Sequence, residues 1–376
     1  MEYRILGRTG LKVGAIALGC EGFADKTAEE VRADFDFAIR NGINFLDLYA
    51  SNPELRSNIG AALAGRREKF VIQGHLCSVW EGGQYLRTRD PEKSLAAFED
   101  LLARLGTDYV EIGMIHYVDA EADLREVLDG PIMRLAQRLR SEGRIRHIGL
   151  SSHNPRVARK AALSGYVEMI LFSINPAFDM LPASENIDTL FADSYDASLR
   201  GIDADRALLY RTCEQNEVGI TVMKGFAGGR LFDEKRSPFG VRLTPVQCIH
   251  YALTRPAVGS ILCGYDTKEQ LDEAVGYETA SEAEKDYASV LANAPLHSYR
   301  GECTYCGHCA PCTVGINIAL SNKFADLAEM AGEVPASVAA HYKAMDVTAG
   351  ACIACGDPFD VPIIERMEKT EELFGC

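Results

Sequence analysis

The chain has 376 residues, 47% of them hydrophobic, which is enough to bury the core of one barrel-sized domain with an appendage. Its net charge of −15 disfavours a nucleic-acid partner, because a phosphate backbone requires clustered Lys and Arg. It has no apolar run of about 18 residues and no secretory start at Met1-Glu2-Tyr3-Arg4, which predicts a cytoplasmic protein without a membrane partner.

Short apolar strands alternate with helices along most of the chain. Residues 1–14 predict a hairpin that plugs the barrel floor, and a capping box of Thr27 and Glu30 predicts a helix to about Arg40. Further helices are predicted at 91–105, 122–141 and 281–292, with an insertion at 179–204. The predicted strands are 15–18, 44–48, 70–73, 109–115, 147–150, 169–174, 219–223 and 260–262. Eight such units predict an α/β fold, a (β/α)8 TIM barrel, over residues 1–296.

Chemically useful side chains follow these strands at one end. The active site of such a barrel lies at the carboxyl ends of its strands. The residues there are Glu21, Asp47, His75, His116, His153 and Lys224. Three imidazoles near a carboxylate predict acid–base or metal chemistry, because imidazole titrates near neutrality and binds divalent metals.

The twelve Cys residues are unevenly spread, and seven of them lie after residue 302. Residues 297–376 are therefore a predicted second domain, small, α-helical and Cys-rich, with helices at 320–345. Thiolates three residues apart suit an iron–sulfur cluster. The predicted ligands are Cys303, Cys306, Cys309, Cys312, Cys352 and Cys355. Cys376 or His308 is a further candidate, and a zinc ion or a metal-free tail remains an alternative.

The segment around Asp47 resembles the signature of the aldo-keto reductase superfamily. Asp47, Ile59 and Gly60 keep the register of that signature. Segments 109–116, 144–152 and 223–231 are also similar to family segments, and the resemblance covers about residues 1–295. It implies an enzyme in which NAD(P)H gives hydride to a carbonyl while Tyr, within a tetrad with Asp, Lys and His, protonates its oxygen.

Two positions of the implied tetrad differ in this chain. Asp47 and His116 match, whereas Asn52 stands at the Tyr position and His75 at the Lys position. The resemblance implies that Asp47 orients and tunes the site and that His116 hydrogen-bonds the reacting oxygen. His75 is the best remaining proton donor, because imidazole titrates near neutrality, and Tyr49 is the second candidate.

Resemblance also implies where a nicotinamide cofactor would bind. The predicted cofactor-binding residues are Ser151, Ser152, Lys224, Gly228 and Gly229. The two serines stand at a family position that binds the carboxamide, and the other three would meet the cofactor or an anionic substrate group. Near the adenine end, Asp266 would repel a 2′-phosphate, while Lys268 would offset that repulsion.

The Cys-rich tail resembles the two-cluster ferredoxin-like tail of the iron–sulfur branch of this superfamily. In such tails each cluster takes three Cys from one run and the last Cys of the other. About five residues carrying two Cys are missing between Asp357 and Pro358. Six thiolates cannot fully ligate two cubanes, so one 4Fe–4S cluster is favoured over two.

The leading interpretation is an aldo-keto-reductase-like oxidoreductase acting on a small or medium polar organic molecule. One alternative is a lyase, isomerase or hydrolase that uses acid–base chemistry or a divalent metal at the barrel mouth. The ligands of that metal would be Glu21, Asp47, His75, His116 and His153. A second alternative is a non-catalytic barrel for binding or electron transfer. The other expected partners are a redox protein or a second copy of the chain.

Overall fold

Eight parallel strands close into a barrel in the computed structural model, which describes residues 1–375; Cys376 lies outside the described residues. Around the barrel the strands follow the order β10-β11-β12-β3-β4-β5-β8-β9. These strands are β3 Ile16–Gly19, β4 Phe45–Leu48, β5 Val71–Leu76, β8 Val110–Ile115, β9 Ile145–Ser152, β10 Met169–Ser173, β11 Gly219–Met223 and β12 Val258–Cys263. The predicted (β/α)8 barrel is confirmed, and β5 extends further than expected, so His75 lies within the strand.

Helices between the strands cover the outside of the barrel. They are α1 Ala28–Arg40, α2 Pro53–Leu63, α3 Pro91–Leu105, α4 Glu121–Asp129, α5 Pro131–Ser141, α6 Pro155–Leu163, α7 Pro176–Asp179, α8 Ala204–Gln215, α9 Pro245–Leu253, α10 Lys268–Val275, α11 Glu282–Lys285 and α12 Tyr287–Ala292. The capping box of Thr27 and Glu30 is present at the start of α1. Both partners satisfy backbone amides that the first turn leaves unpaired.

Two predicted helices are each split in two. The segment 122–141 breaks at Gly130, because Pro131 lacks the amide hydrogen that a continuous helix needs and instead begins α5. The segment 281–292 breaks at Asp286, whose side chain accepts a hydrogen bond from Ser289 N and so begins a second helix.

An antiparallel hairpin lies at the barrel floor, as predicted. It pairs β1 Tyr3–Ile5 with β2 Lys12–Gly14. Leu6 and Val13 are fully buried and pack with apolar side chains from the barrel interior. The amino-terminal end of the barrel is therefore filled by apolar packing, which leaves the opposite end for a site.

A second hairpin was not predicted. It consists of β6 Ser78–Glu81 and β7 Gln84–Arg87, joined by Gly82 and Gly83, and it directly follows β5. Both glycines have positive φ angles of 62° and 79°, as a two-residue turn of type I′ requires. This hairpin lies at the carboxyl end of the barrel and contributes to the mouth.

The tail adds the helices α13 Ile318–Ala331, α14 Ala336–Lys343 and α15 Ile363–Phe374, which share an apolar cluster of their own. It contacts the barrel through ion pairs from α13 to α8, including Arg211 with Asp326. The buried Arg255 also donates to the carbonyl of Thr304 at the start of the tail. The domain boundary at residues 296 and 297 stays a prediction. Within residues 1–375, no helix combines the length and apolar character needed to cross a membrane.

Candidate active site

A cavity of about 990 Å³ opens at the carboxyl ends of the barrel strands. Its walls include most of the residues that the sequence placed at the mouth. These are Glu21, Asp47, Tyr49, His75, His116, Ser151, His153, Lys224, Gly228 and Gly229. Side chains from widely separated strands thus meet in a single pocket, as the closure of the barrel requires.

Asp47 is buried on β4 and anchors one side of this pocket. The amide nitrogen of Gln73 donates to Asp47 Oδ1, and the amide oxygen of Gln73 accepts from Thr221 Oγ1 at 3.2 Å. His75 Nε2 lies 2.9 Å from the same carboxylate oxygen. Two nitrogen partners on one oxygen hold Asp47 as a hydrogen-bond acceptor in an apolar barrel interior.

A chain of contacts runs outward from Asp47 through two imidazoles. The Nδ1 atoms of His75 and His116 are 2.7 Å apart, which is hydrogen-bond distance. On the other side of its ring, His116 Nε2 lies 2.6 Å from the hydroxyl of Tyr85 in β7. Asp47, His75, His116 and Tyr85 therefore form one continuous hydrogen-bonded series from the core to the cavity.

The environment of His116 keeps its ring neutral. Burial lowers the pKa of His116 well below its usual value, and neighbouring His75, Arg89, His153 and Arg87 lower it further. A neutral imidazole has one nitrogen that donates and one that accepts. His116 can therefore relay a proton between its two hydrogen-bond partners.

Tyr49 lies over this series without belonging to it. Its ring stacks on His116 at 5.6 Å between centroids and 3° between planes. Burial raises the pKa of Tyr49, and the charge of Glu21 and a hydrogen bond to it raise that pKa further. Loss of the Tyr49 proton is thus opposed, which makes this phenol a poor acid.

His153 belongs to a second acid–base pair at the rim of the cavity. Its Nδ1 lies 2.9 Å from Asp119 Oδ2, and its backbone amide donates to Asp119 Oδ1. Burial raises the pKa of Asp119, but the hydrogen bonds and charge of His153, with a bond from Ser152, outweigh burial and lower it. Asp119 therefore fixes the orientation of the His153 ring.

The residues predicted for the cofactor occupy different places. Ser151, Lys224, Gly228 and Gly229 line the cavity, whereas Ser152 is buried and its hydroxyl donates to Asp119. The two glycines have positive φ angles and open space where a Cβ would lie, so their backbone can approach a ligand closely. The cavity size and these groups fit a nicotinamide nucleotide, with Ser151 as the remaining serine for the carboxamide.

The His and carboxylate side chains at the barrel mouth are not arranged as a set of metal ligands. Within residues 1–375, no three His, Cys, Asp or Glu side chains form a group able to hold a metal ion. Both ring nitrogens of His75 are in contact with Asp47 and His116, and His153 Nδ1 is bound to Asp119. The metal-dependent alternative with Glu21 thus gains no support.

In the described part of the Cys-rich tail, too, no three such side chains form a group able to hold a metal ion. Burial, together with the nearby Cys306, Cys303 and Cys312, raises the pKa of the Cys309 thiol to about 12, so these four thiols are neighbours. Cys352 is half-buried and Cys355 is exposed. The six residues are not arranged as a closed ligand set, so the cluster stays a prediction from spacing, and Cys376 lies outside the described residues.

Tyr85, Gln73 and Asp119 contribute to the site but were not predicted from the sequence. The Gly82-Gly83 pair between two short β-type segments is a hairpin signal that would have brought Tyr85 to the mouth. Gln73 and Asp119 carry no such signal, because their roles depend on contacts between separate strands.

Comparison with known proteins agrees with this architecture. A "Bacillus subtilis (strain 168)" protein named uncharacterized oxidoreductase YqkF is 26% identical over 289 residues, which cover 73% of this chain and 90% of that protein. The oxidoreductase YrpG of the same organism, also named uncharacterized, is 31% identical over 166 residues, or 40% of this chain and 49% of that protein.

A solved structure has the same fold. The aldo-keto reductase AKR11C1 from Bacillus halodurans, in its holo form, superposes with a TM-score of 0.57 at 21% identity, covering 76% of this chain and 94% of that one. The model of the aldo/keto reductase family matches residues 11–247, which include Asp47, His75 and His116. The chain therefore belongs to the aldo/keto reductase family, and its enzyme class is that of an oxidoreductase.

Proposed function

We propose that this protein is a nicotinamide-dependent oxidoreductase that interconverts a carbonyl and an alcohol on a small or medium polar organic molecule. The observation that carries the proposal is the contact of His75 with Asp47 at 2.9 Å; the resemblance implies that His75 stands at the family's Lys position. An imidazole there can hold a proton beside a carboxylate, as acid–base catalysis next to hydride transfer requires.

Roles within the site follow from the contacts of each residue. A bound nicotinamide would supply or accept the hydride. Asp47 orients His75, and His75 in turn orients His116 through the contact between their Nδ1 atoms. His153, held by Asp119, faces the same cavity and would bind a polar group of the substrate. Ser151 and the backbone at Gly228 and Gly229 would bind the cofactor.

We further propose NAD rather than NADP as the cofactor. Asp266 and Glu273 line the cavity on the side of α10, where a carboxylate favours a ribose hydroxyl and repels a 2′-phosphate. The exposed Lys268 carries one positive charge against these two carboxylates, and its Nζ lies 5.9 Å from the centroid of the Phe37 ring. The local charge at this end of the cavity is therefore negative.

Nicotinamide fluorescence provides the test of this function. We expect NADH to bind at least about tenfold more tightly than NADPH, a difference of roughly 1.4 kcal/mol. Asp266→Lys should reduce the ratio of the Kd for NADPH to the Kd for NADH. Asp272→Lys, on α10 and outside the cavity lining, makes the same charge change, serves as the matched control and should keep the ratio. A folded protein that binds neither nucleotide would contradict the function, and a preference for NADPH would contradict the cofactor assignment.

The Cys-rich tail adds a separate proposal, which rests on spacing alone. We infer that residues 303–355 bind one 4Fe–4S cluster through thiolates of the two Cys runs. No step of the hydride chemistry is assigned to it. Because residues 1–375 show no metal-binding arrangement, the decisive measurement for this proposal is metal and sulfide analysis.

A further inference from the structure

Asn52, which the resemblance places at the family's Tyr position, has another use in this structure. Asn52 Oδ1 accepts hydrogen bonds from the backbone amides of Glu54 and Leu55 and so caps the start of α2. An amide in this role is committed to the helix terminus and has no acidic proton to give. A phenol for the reaction must therefore come from elsewhere.

The hairpin β6–β7 brings Tyr85 to the mouth. The Tyr85 side chain is 38% exposed, lines the cavity, and places its hydroxyl 2.6 Å from His116 Nε2. Buried hydrogen bonds fix the hairpin to the barrel: Ser51 Oγ donates to the carbonyl of Val79, and Ser78 Oγ donates to the carbonyl of Tyr49. Tyr85 is thus both held in place and open to a bound molecule.

The donor and acceptor of each contact can be assigned from Asp47 outward. A carboxylate only accepts hydrogen bonds, so His75 Nε2 carries the hydrogen that points to Asp47. In a neutral His75, Nδ1 then accepts, which requires His116 Nδ1 to donate. His116 Nε2 is consequently the acceptor, and the Tyr85 hydroxyl donates to it. All three bonds point the same way, from Tyr85 toward Asp47.

Charge distinguishes the two phenols at the mouth. Tyr49 faces Glu21 and Asp47, whose negative charges oppose loss of its proton. Burial raises the pKa of Tyr85, and Tyr117 adds to that rise, but the positive charges of Arg87 and Arg89 oppose it and favour the phenolate. A phenol that must transiently give up its proton is therefore better placed at Tyr85.

We propose that Tyr85 is the catalytic phenol of this site and that His116 relays the Tyr85 proton to and from His75, whose imidazolium the Asp47 carboxylate stabilises. The proposal rests on the nicotinamide-dependent function proposed above. In this proposal the phenol comes from the hairpin β6–β7 and not from the end of a barrel strand. The two imidazoles form a proton relay.

In alcohol oxidation the atoms balance as follows. Oxidised nicotinamide, when bound, would accept the hydride of the alcohol carbon, and the alcohol oxygen gives its proton to the Tyr85 oxygen. The Tyr85 proton passes to His116 Nε2, and the His116 Nδ1 proton passes to His75 Nδ1. The products are the carbonyl compound, reduced nicotinamide and a His75 imidazolium beside the Asp47 carboxylate. Carbonyl reduction is the same sequence reversed.

Kinetics of Tyr85→Phe give the first test. This change keeps the ring and removes the hydroxyl, so we expect kcat to fall by about 100-fold or more. The Kd for NADH should stay within about threefold of wild type, since the aromatic ring and the nucleotide contacts remain. Trp80→Phe, opposite Tyr85 in the same hairpin, is the matched control and should keep kcat within about threefold. The fall in kcat should be smaller for Tyr49→Phe than for Tyr85→Phe.

A second measurement needs no turnover. In ¹⁵N-labelled protein without cofactor, long-range ¹H–¹⁵N spectra should show hydrogen on Nε2 of His75 and on Nδ1 of His116 at neutral pH. Tyr85→Phe should shift the Nε2 resonance of His116, whereas Trp80→Phe should not. Hydrogen on His116 Nε2 in the wild type would overturn the relay, because Tyr85 would then be the acceptor.

These outcomes separate the two proposals. A wild type that binds NADH and turns over substrate, with Tyr85→Phe retaining its kcat, would overturn the role of Tyr85 and leave the oxidoreductase function intact. A wild type that binds no nicotinamide would contradict the function itself. In that case the ring tautomers still decide whether the relay exists.

Discussion

At the scale of single residues, neutral His116 makes the folding stability depend on pH. Its pKa is lowered by burial, so below a pH of about 6.5 the unfolded chain binds a proton that the folded protein rejects. Folding stability attributable to His116 is therefore complete above that pH and is lost as the pH falls below it. His250 contributes in the same direction, because burial lowers its pKa too.

We predict a lower melting temperature at pH 5.5 than at pH 7.5, measured by circular dichroism at constant ionic strength. In His116→Gln, whose side chain does not titrate, the difference between the two pH values should shrink. It should not vanish, because His250 remains. A pH difference equal in wild type and variant would show that the folded protein accommodates a charged His116.

Asp47, His75 and His116 illustrate how much of the site a sequence can reveal. Each lies at or directly after the carboxyl end of an apolar strand, so barrel closure alone predicts that they meet at one mouth. The sequence could not show that the Nδ1 atoms of two imidazoles approach to 2.7 Å, because that distance depends on strand register and side-chain rotamers. Nor could it show that Ser152 turns away from the cavity to donate to Asp119.

The inserted hairpin determines the geometry of the site at the scale of elements. All four residues of β7 are exposed, so the hairpin lacks the alternation of buried and exposed side chains by which a strand is recognised. This absence explains why it was missed while the barrel strands, which are buried on both faces, were found. The break at Gly130-Pro131 was likewise missed, although Pro at a helix start is a known signal.

The contact between Ser51 and the hairpin leads to a prediction. Ser51→Ala removes the hydroxyl that donates to the buried carbonyl of Val79 at 2.8 Å. Loss of one buried hydrogen bond costs about 0.5–1.5 kcal/mol, so the free energy of unfolding in urea should fall by that amount. The loosened hairpin should also lower kcat. Ser141→Ala, on the exposed end of α5, is the control and should change stability by less than about 0.5 kcal/mol.

The whole molecule combines a barrel with a tail that has its own apolar cluster. Contacts between the two include the buried Arg255, which reaches the carbonyl of Thr304, and the ion pair of Arg211 with Asp326. The Cys runs begin directly beside Thr304, at Cys303 and Cys306. Any group bound by these thiols would therefore lie next to the barrel wall.

Metal analysis tests the tail as a unit. After anaerobic purification of the full chain, we predict about four iron and four sulfide per chain, the content of one 4Fe–4S cluster. Cys306→Ser should lower both, whereas Cys248→Ala, a buried thiol of the barrel, should leave them unchanged. About one zinc per chain without sulfide would support the zinc alternative, and absence of both metals would support a metal-free tail.

The hairpin that turns at Gly82 and Gly83 carries Tyr85 but is not part of the barrel sheet. The barrel closes through its own strands, and the ten residues 78–87 lie outside that ring of hydrogen bonds. Reactivity can then be altered by exchanging one short surface segment while the scaffold is kept. Transplanting 78–87 into a related barrel, with Ser51 supplied as its anchor, becomes a route to building a new acid–base group by design.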